Sequence, residues 1–239
     1  MGMMTVRRAT WRSVPGGALR CLIVALLCAT QGCAAAQQGV RDDRAIRFFR
    51  DLVFGEDFAL GRRSTALYRW VAPMRVSVAG STDAAEIAEI ERQLQHVAAL
   101  TGLDAALVDS PADDVNLEIR FAPESDFLVN KEFVRCYVHR QVKANIVRGA
   151  TIYIGADQPG LLQDCLSHEL MHALGFPQHS GILPSSLSPF HEEAYFTRWD
   201  DAAVRTLYDH RLKVGMTEAE AMPLVERIIG EKIAEGPGS

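Results

Sequence analysis

His168 and His172 stand four residues apart in the run His168-Glu169-Leu170-Met171-His172-Ala173-Leu174-Gly175, and His179 follows four residues after the glycine. On a helix, residues four apart share a face, with Cβ atoms roughly 5–6 Å apart. Both imidazoles can therefore turn a nitrogen toward one ion. Glu169 is rotated off that face and would sit beside the ion, not on it. Two histidines around an acid at this spacing form a zinc-site pattern that carries its own general base. Zinc lowers the pKa of a coordinated water to about 7, and a neighbouring carboxylate can take the proton. That is the requirement for hydrolysing a peptide bond at neutral pH. Gly175 can adopt a positive φ and end the helix, turning the chain back so that His179 supplies a third ligand.

The elements that must position these residues are legible from periodicity. Residues 43–54 place Ile46, Phe49 and Val53 among arginines, an amphipathic helical pattern. Residues 75–80 alternate as a strand, and 83–100 form a strong helix with Ile87, Ile90, Leu94 and Val97 at helical spacing. Residues 116–121 alternate again, and 133–138 and 150–154 read as further strands. Gly160-Leu161-Leu162 then enters the helix that bears His168. Thr217 and Glu220 fit a capping box before a last helix reaching about residue 233, with Pro223 disturbing its first turns and shifting the start toward Met222. The pattern alone supports a mixed α/β domain.

Flanking residues carry a family likeness. The segment HELMHALGFPQHS, from His168 to Ser180, resembles the metzincin zinc proteases, especially the matrixin-like branch, whose pattern is H-E-x-x-H-x-x-G-x-x-H. Strict spacing would put the third histidine at 178, which is Gln178, so one residue is added in Phe176-Pro177-Gln178. A loop absorbs such an addition more easily than a helix does, and His179 remains the expected ligand. Metzincins also carry a tight turn with a methionine beneath the metal. Here Ser185-Ser186-Leu187-Ser188-Pro189 corresponds, with Leu187 at the methionine position and Pro189 closing the turn. An apolar residue of similar volume serves the same packing. Trp199-Asp200-Asp201 through Leu207-Tyr208 is similar to the last helix of matrixin-like domains. The stretch from Leu207 to Met216 also resembles a bacterial lipoprotein-like family known only as a domain of unknown function. The resemblance implies an α/β (α+β) fold: a mixed, mostly parallel twisted sheet with an active-site helix and a C-terminal helical part. It implies Zn²⁺ held by His168, His172 and His179, with Glu169 as the catalytic base.

Arg7, Arg8, Arg12 and Arg20 precede an apolar run from residue 21 to 29, too short to span a membrane permanently, and this reads as an export signal. Cleavage is expected either before Cys33, where T-Q-G-C resembles a lipobox and would leave Cys33 lipidated, or after Ala34-Ala35-Ala36. Export leaves Cys136 and Cys165 in the folded part, an even pair that reads as one disulfide in an oxidising compartment. It would close a loop of about 30 residues and contribute roughly 3 kcal/mol. Two unlinked buried thiols, or a Cys165 touching the metal, are the other readings of that pair.

The expected layout is a signal peptide over 1–36, a helical extension over 37–71, a metzincin-like zinc-protease domain over 72–213, and a C-terminal helix with a flexible tail over 214–239. The outer segments are expected to brace the core, the alternative being a removable inhibitory segment. With 48% hydrophobic and 23% charged residues and a formal net charge of −5, nothing favours nucleic acid or an anionic membrane surface. The expected partner is a peptide or protein substrate, met as a monomer in the periplasm, the cell envelope or the medium, with membrane attachment only through an N-terminal lipid. His191, Glu192 and Glu193 read as a solvated loop and Tyr195 as a packing aromatic, while His96, His139 and His210 have no ligand spacing. Three functions follow: a zinc-dependent endopeptidase, a catalytically inactive metzincin-like envelope lipoprotein acting as a binding or structural module, or a protein that binds metal for storage or sensing.

Overall fold

Alternating apolar residues produce the sheet on which the site is built. In the computed structural model, which describes residues 43–56, 63–80, 83–108, 114–123, 128–129, 132–133, 135–156, 160–190 and 193–235, strand β1 (Met74–Ala79) buries Met74 and Val76, and β3 (Leu117–Ala122) buries Leu117, Ile119 and Phe121. With β2 (Ala105–Leu107), β6 (Cys136–Lys143) and β7 (Ile146–Gly155), they form a five-stranded sheet in the order β2-β1-β3-β7-β6. The pairings β1 with β2, β1 with β3 and β3 with β7 are parallel, and only β6 runs against its neighbour. Strands β4 (Leu128–Val129) and β5 (Glu132–Phe133) pair separately as a small antiparallel hairpin. The mixed, mostly parallel α/β class expected from the sequence is the class observed.

Five helices among the described residues complete the fold. Helix α1 covers 43–54, and α2 (Ala84–Thr101) crosses over between β1 and β2. Asp83 starts α2 by accepting hydrogen bonds from the Ala85 and Glu86 amides at 2.7 and 3.2 Å, and Gly102 ends it at φ 69°. Helix α3 (Leu161–Leu174) follows β7 and packs on β6 and β7, while α4 (Arg198–Leu207) packs on α2 and on α5 (Glu218–Glu235). One hydrophobic core unites them. It includes Phe48, Phe49 and Leu52 of α1, the inward residues of β1, β3 and β7, and Val225 and Ile228 of α5. Each such fully buried side chain contributes about 1.5–3 kcal/mol.

Several boundaries differ from the sequence expectation. Residues 133–138 are not one strand: β5 ends at Phe133 and β6 begins at Cys136. Strand β7 starts at Ile146, four residues before the alternation becomes plain, because Ala144 and Asn145, both at positive φ (52° and 60°), close a tight hairpin with β6. Helix α5 begins at Glu218 and takes Pro223 inside it. Glu220 accepts from the Thr217 amide at 2.8 Å, which fixes the start there despite the proline. The export signal, Cys33, His191, Glu192 and the tail from 236 lie outside the described residues.

Candidate metal centre

Helix α3 carries the first two histidines at the spacing a helix requires, and the three imidazoles converge. His168 Nε2 lies 3.2 Å from His172 Nε2 and 3.2 Å from His179 Nε2. Tetrahedral coordination with bonds of about 2.0–2.1 Å would set ligand nitrogens about 3.3 Å apart. Ring planes cross steeply, at 72° for His168 and His172 and 75° for His172 and His179, so the rings do not stack. His172 is 7% exposed, and its two partners are half-buried.

Hydrogen bonds at the far side of two rings settle which nitrogen faces inward. His168 Nδ1 donates to the Ser186 carbonyl at 2.8 Å, and His172 Nδ1 donates to the Phe176 carbonyl at 2.6 Å. In the neutral rings this leaves both Nε2 atoms as lone-pair donors pointed at one another. Two such atoms 3.2 Å apart repel unless a cation or a proton lies between them. Protonation is disfavoured here. Burial pushes the His168 pKa down, outweighing the opposing effect of its bond to Ser186. Burial pushes His172 well below its ordinary value, reinforced by His168, His179 and Arg140. The donor set, its spacing and its second hydrogen bonds therefore fit a metal ion, and the three histidines are the one group among the described residues that could hold one.

The C-terminal end of α3 is held from three directions. Its last carbonyls lack helical partners. Arg140 Nη1 of β6 donates to the His172 carbonyl at 2.6 Å, Trp70 Nε1 to the Ala173 carbonyl at 2.9 Å and Tyr208 Oη to the Leu174 carbonyl at 2.9 Å. Burial raises the Tyr208 pKa, which keeps its hydroxyl protonated and donating. Gly175 then stops the helix at φ 125°, and a Cβ there would come within 2.3 Å of the Tyr68 carbonyl oxygen. Both the dihedral and the close approach demand glycine. At the other end, Cys165, three residues before His168, is joined to Cys136 of β6 by a disulfide with Cα atoms 6.0 Å apart. The bond excludes the readings of two free thiols and of Cys165 as a ligand.

A turn supports His168 from below. Leu187 is fully buried within it, and Pro189 is exposed. The turn hangs on Asp200, a fully buried carboxylate. Its Oδ1 accepts from Ser185 Oγ at 2.5 Å, and its Oδ2 accepts from the amides of Ser186 and Thr197 at 3.1 and 2.8 Å. Asp200 thus fixes the Ser186 carbonyl that orients His168 while capping α4 with Thr197. Burial raises its pKa despite those donors.

Glu169 sits in the same helical turn as His168 and is only 4% exposed. Gly175 and the disulfide pair stand where the sequence set them. Sequence reasoning passed over Asp200, Arg140, Trp70 and the hydroxyl role of Tyr208. Thr197-x-x-Asp200 was the available signal, a capping box that runs into the resembling Trp199-Asp200-Asp201 segment. Ser167, beside His168, lies 3.0 Å from both Gln93 Oε1 of α2 and the Ala194 carbonyl, linking α3 to the loop after the turn. Tyr195 of that loop stacks under the Arg92 guanidinium, 5.2 Å from the ring centre, and His96 pairs with Asp201 at 2.7 Å, away from any ligand role.

The profile of a family described as "Protein of unknown function (DUF2927)" matches residues 42–227, from α1 into α5, and the chain belongs to that family. No curated protein matches the chain.

Proposed function

Since the family description assigns no activity, the reading has to come from the site, and we propose that the chain is an exported zinc-dependent endopeptidase of metzincin-like type. The convergence of three imidazole Nε2 atoms, two of them oriented by backbone carbonyls, is the observation that carries it. His168, His172 and His179 would hold Zn²⁺. When bound, zinc supplies Lewis acidity, polarising the scissile carbonyl and making a water acidic enough to attack. Glu169, beside His168 on α3, would serve as the base for that water and then as the acid for the leaving amine. Its burial raises the effect of each charge near it. The second hydrogen bonds of His168 and His172 keep their rings aimed, so that little reorganisation accompanies the reaction.

Export is supported by the residue 7–29 pattern and by the disulfide, a bond that persists in oxidising compartments. Attachment through a lipidated Cys33 belongs to the same proposal. No helix among the described residues is long and apolar enough to cross a membrane.

Hydrolysis of a casein or a mixed peptide library, followed by mass spectrometry, tests the activity. Wild type loaded with zinc should cleave, and Glu169→Gln should lose about 10²–10⁴-fold in rate while retaining its metal. Zinc-loaded wild type that cleaves nothing, or a Glu169→Gln variant as active as wild type, contradicts the protease reading. The first of these outcomes, with metal bound, points to the binding module.

A further inference from the structure

The third ligand is carried by a segment that α1 holds along its length. Residues 176, 178 and 180 are buried, whereas 177, 179 and 181 are half-buried or exposed. The buried set meets α1. Phe176 packs edge-on against Phe49 with ring centres 6.3 Å apart, the Gln178 amide donates to the Leu52 carbonyl at 3.2 Å, and Ser180 Oγ donates to Asp51 Oδ2 at 3.0 Å. One step further, Arg44 Nη2 donates to the Ile182 carbonyl at 2.5 Å. His179 belongs to the other set and so faces His168. Residue 178 belongs to the buried set, so a histidine there would not share the side from which His179 reaches His168, and the expected ligand stands one residue later than the metzincin spacing.

We propose that α1 is part of the metal centre and that Asp51 is the positioning residue for His179, acting through Ser180. The inference rests on the metal-binding reading above. Asp51 lies in the last turn of α1, the end where the helix dipole disfavours a carboxylate, so its place there answers to a contact outside the helix. Ser180 is 3% exposed, and its amide also donates to the Leu187 carbonyl at 3.2 Å, tying the same residue to the turn beneath His168. A loop fixed at 178, 180 and 182 leaves the intervening imidazole little freedom. The segment before the domain is therefore a component of the site, and its removal would disable the site instead of releasing it.

The test measures Zn²⁺ affinity by competition with a chromophoric chelator, and the absorption spectrum of the Co²⁺-loaded protein, on the full chain. Asp51→Ala should weaken Zn²⁺ binding about tenfold and change the Co²⁺ spectrum, as for a ligand held loosely. Ser180→Ala should do the same, the double variant should be no worse than either, and Asp51→Asn, which keeps an acceptor, should recover most of the affinity. Glu218→Ala breaks the exposed ion pair of Arg50 on the same helix and should leave binding unchanged. If Asp51→Ala fails to fold, Ser180→Ala removes the same bond from the loop side and is read instead. Zinc affinity within about twofold of wild type in the folded variants, against the roughly tenfold loss expected, overturns the inference while the metal reading stands. Absence of metal from wild type overturns the metal reading and the inference with it.

Discussion

His168 and His172 each spend one nitrogen on a backbone carbonyl, and that choice makes the other nitrogen a lone-pair donor that could hold a metal. The same burial has a cost without metal. Their folded pKa values lie below the ordinary 6.5 because burial disfavours the cation. As pH falls through 6.5 the unfolded chain gains protons on these rings before the folded chain does, so the metal-free protein loses stability from there downward. Urea titrations of metal-free wild type and of His172→Gln between about pH 8 and 5 check this: the wild type should lose the larger share of its stability on acidification. The clustering of the three histidines, the helix stop at Gly175 and the cysteine pair were legible because residue type and local spacing carry them. Asp200 was not, because its role as acceptor for Ser185 and Ser186 depends on a contact across a loop.

Among elements, α2 and α3 were readable because an end signal and an apolar stripe reinforce each other within one segment. Strand β2 is three residues long and has no period to detect, and the hairpin joining β6 to β7 turns on Ala144, a residue type without turn preference. The seat of His179 was unreadable from spacing, since α1 imposes it through a contact between residues 129 positions apart in sequence. At the junction of α4 and α5, Arg211 bonds both Asp209 and Glu231, at 2.9 and 2.7 Å. The guanidinium holds the Asp209 pKa down, to about 2. Its contribution is present above the ordinary value of 3.8 and is lost as pH falls from there toward about 2. Asp209→Asn should therefore be less stable than wild type at about pH 6 and equal to it near pH 2 in denaturant titrations. A difference that persists unchanged at the acid end would contradict the pairing.

At the scale of the whole molecule, a single core and one covalent link among the described residues hold the candidate site. Apolar residues of α1 and α5 share the core with the sheet and with α3, the helix that carries His168 and His172. The Cys136–Cys165 bond closes a loop with a sequence separation of 29 between the edge strand β6 and helix α3. By the loop-entropy argument its removal in a Cys136→Ser, Cys165→Ser variant should cost about 3 kcal/mol, read as a lower denaturation midpoint with a somewhat steeper slope, because the unfolded chain without the link is less compact. A midpoint equal to that of wild type would show that the closed loop adds nothing.

Metal content is the most direct measurement. Purified protein, stripped and reloaded with zinc, should hold one equivalent per chain by atomic emission, and His172→Ala, which removes the most deeply buried ligand, should lose it. A reloaded wild type without zinc, or a His172→Ala variant that binds as wild type does, would contradict the account.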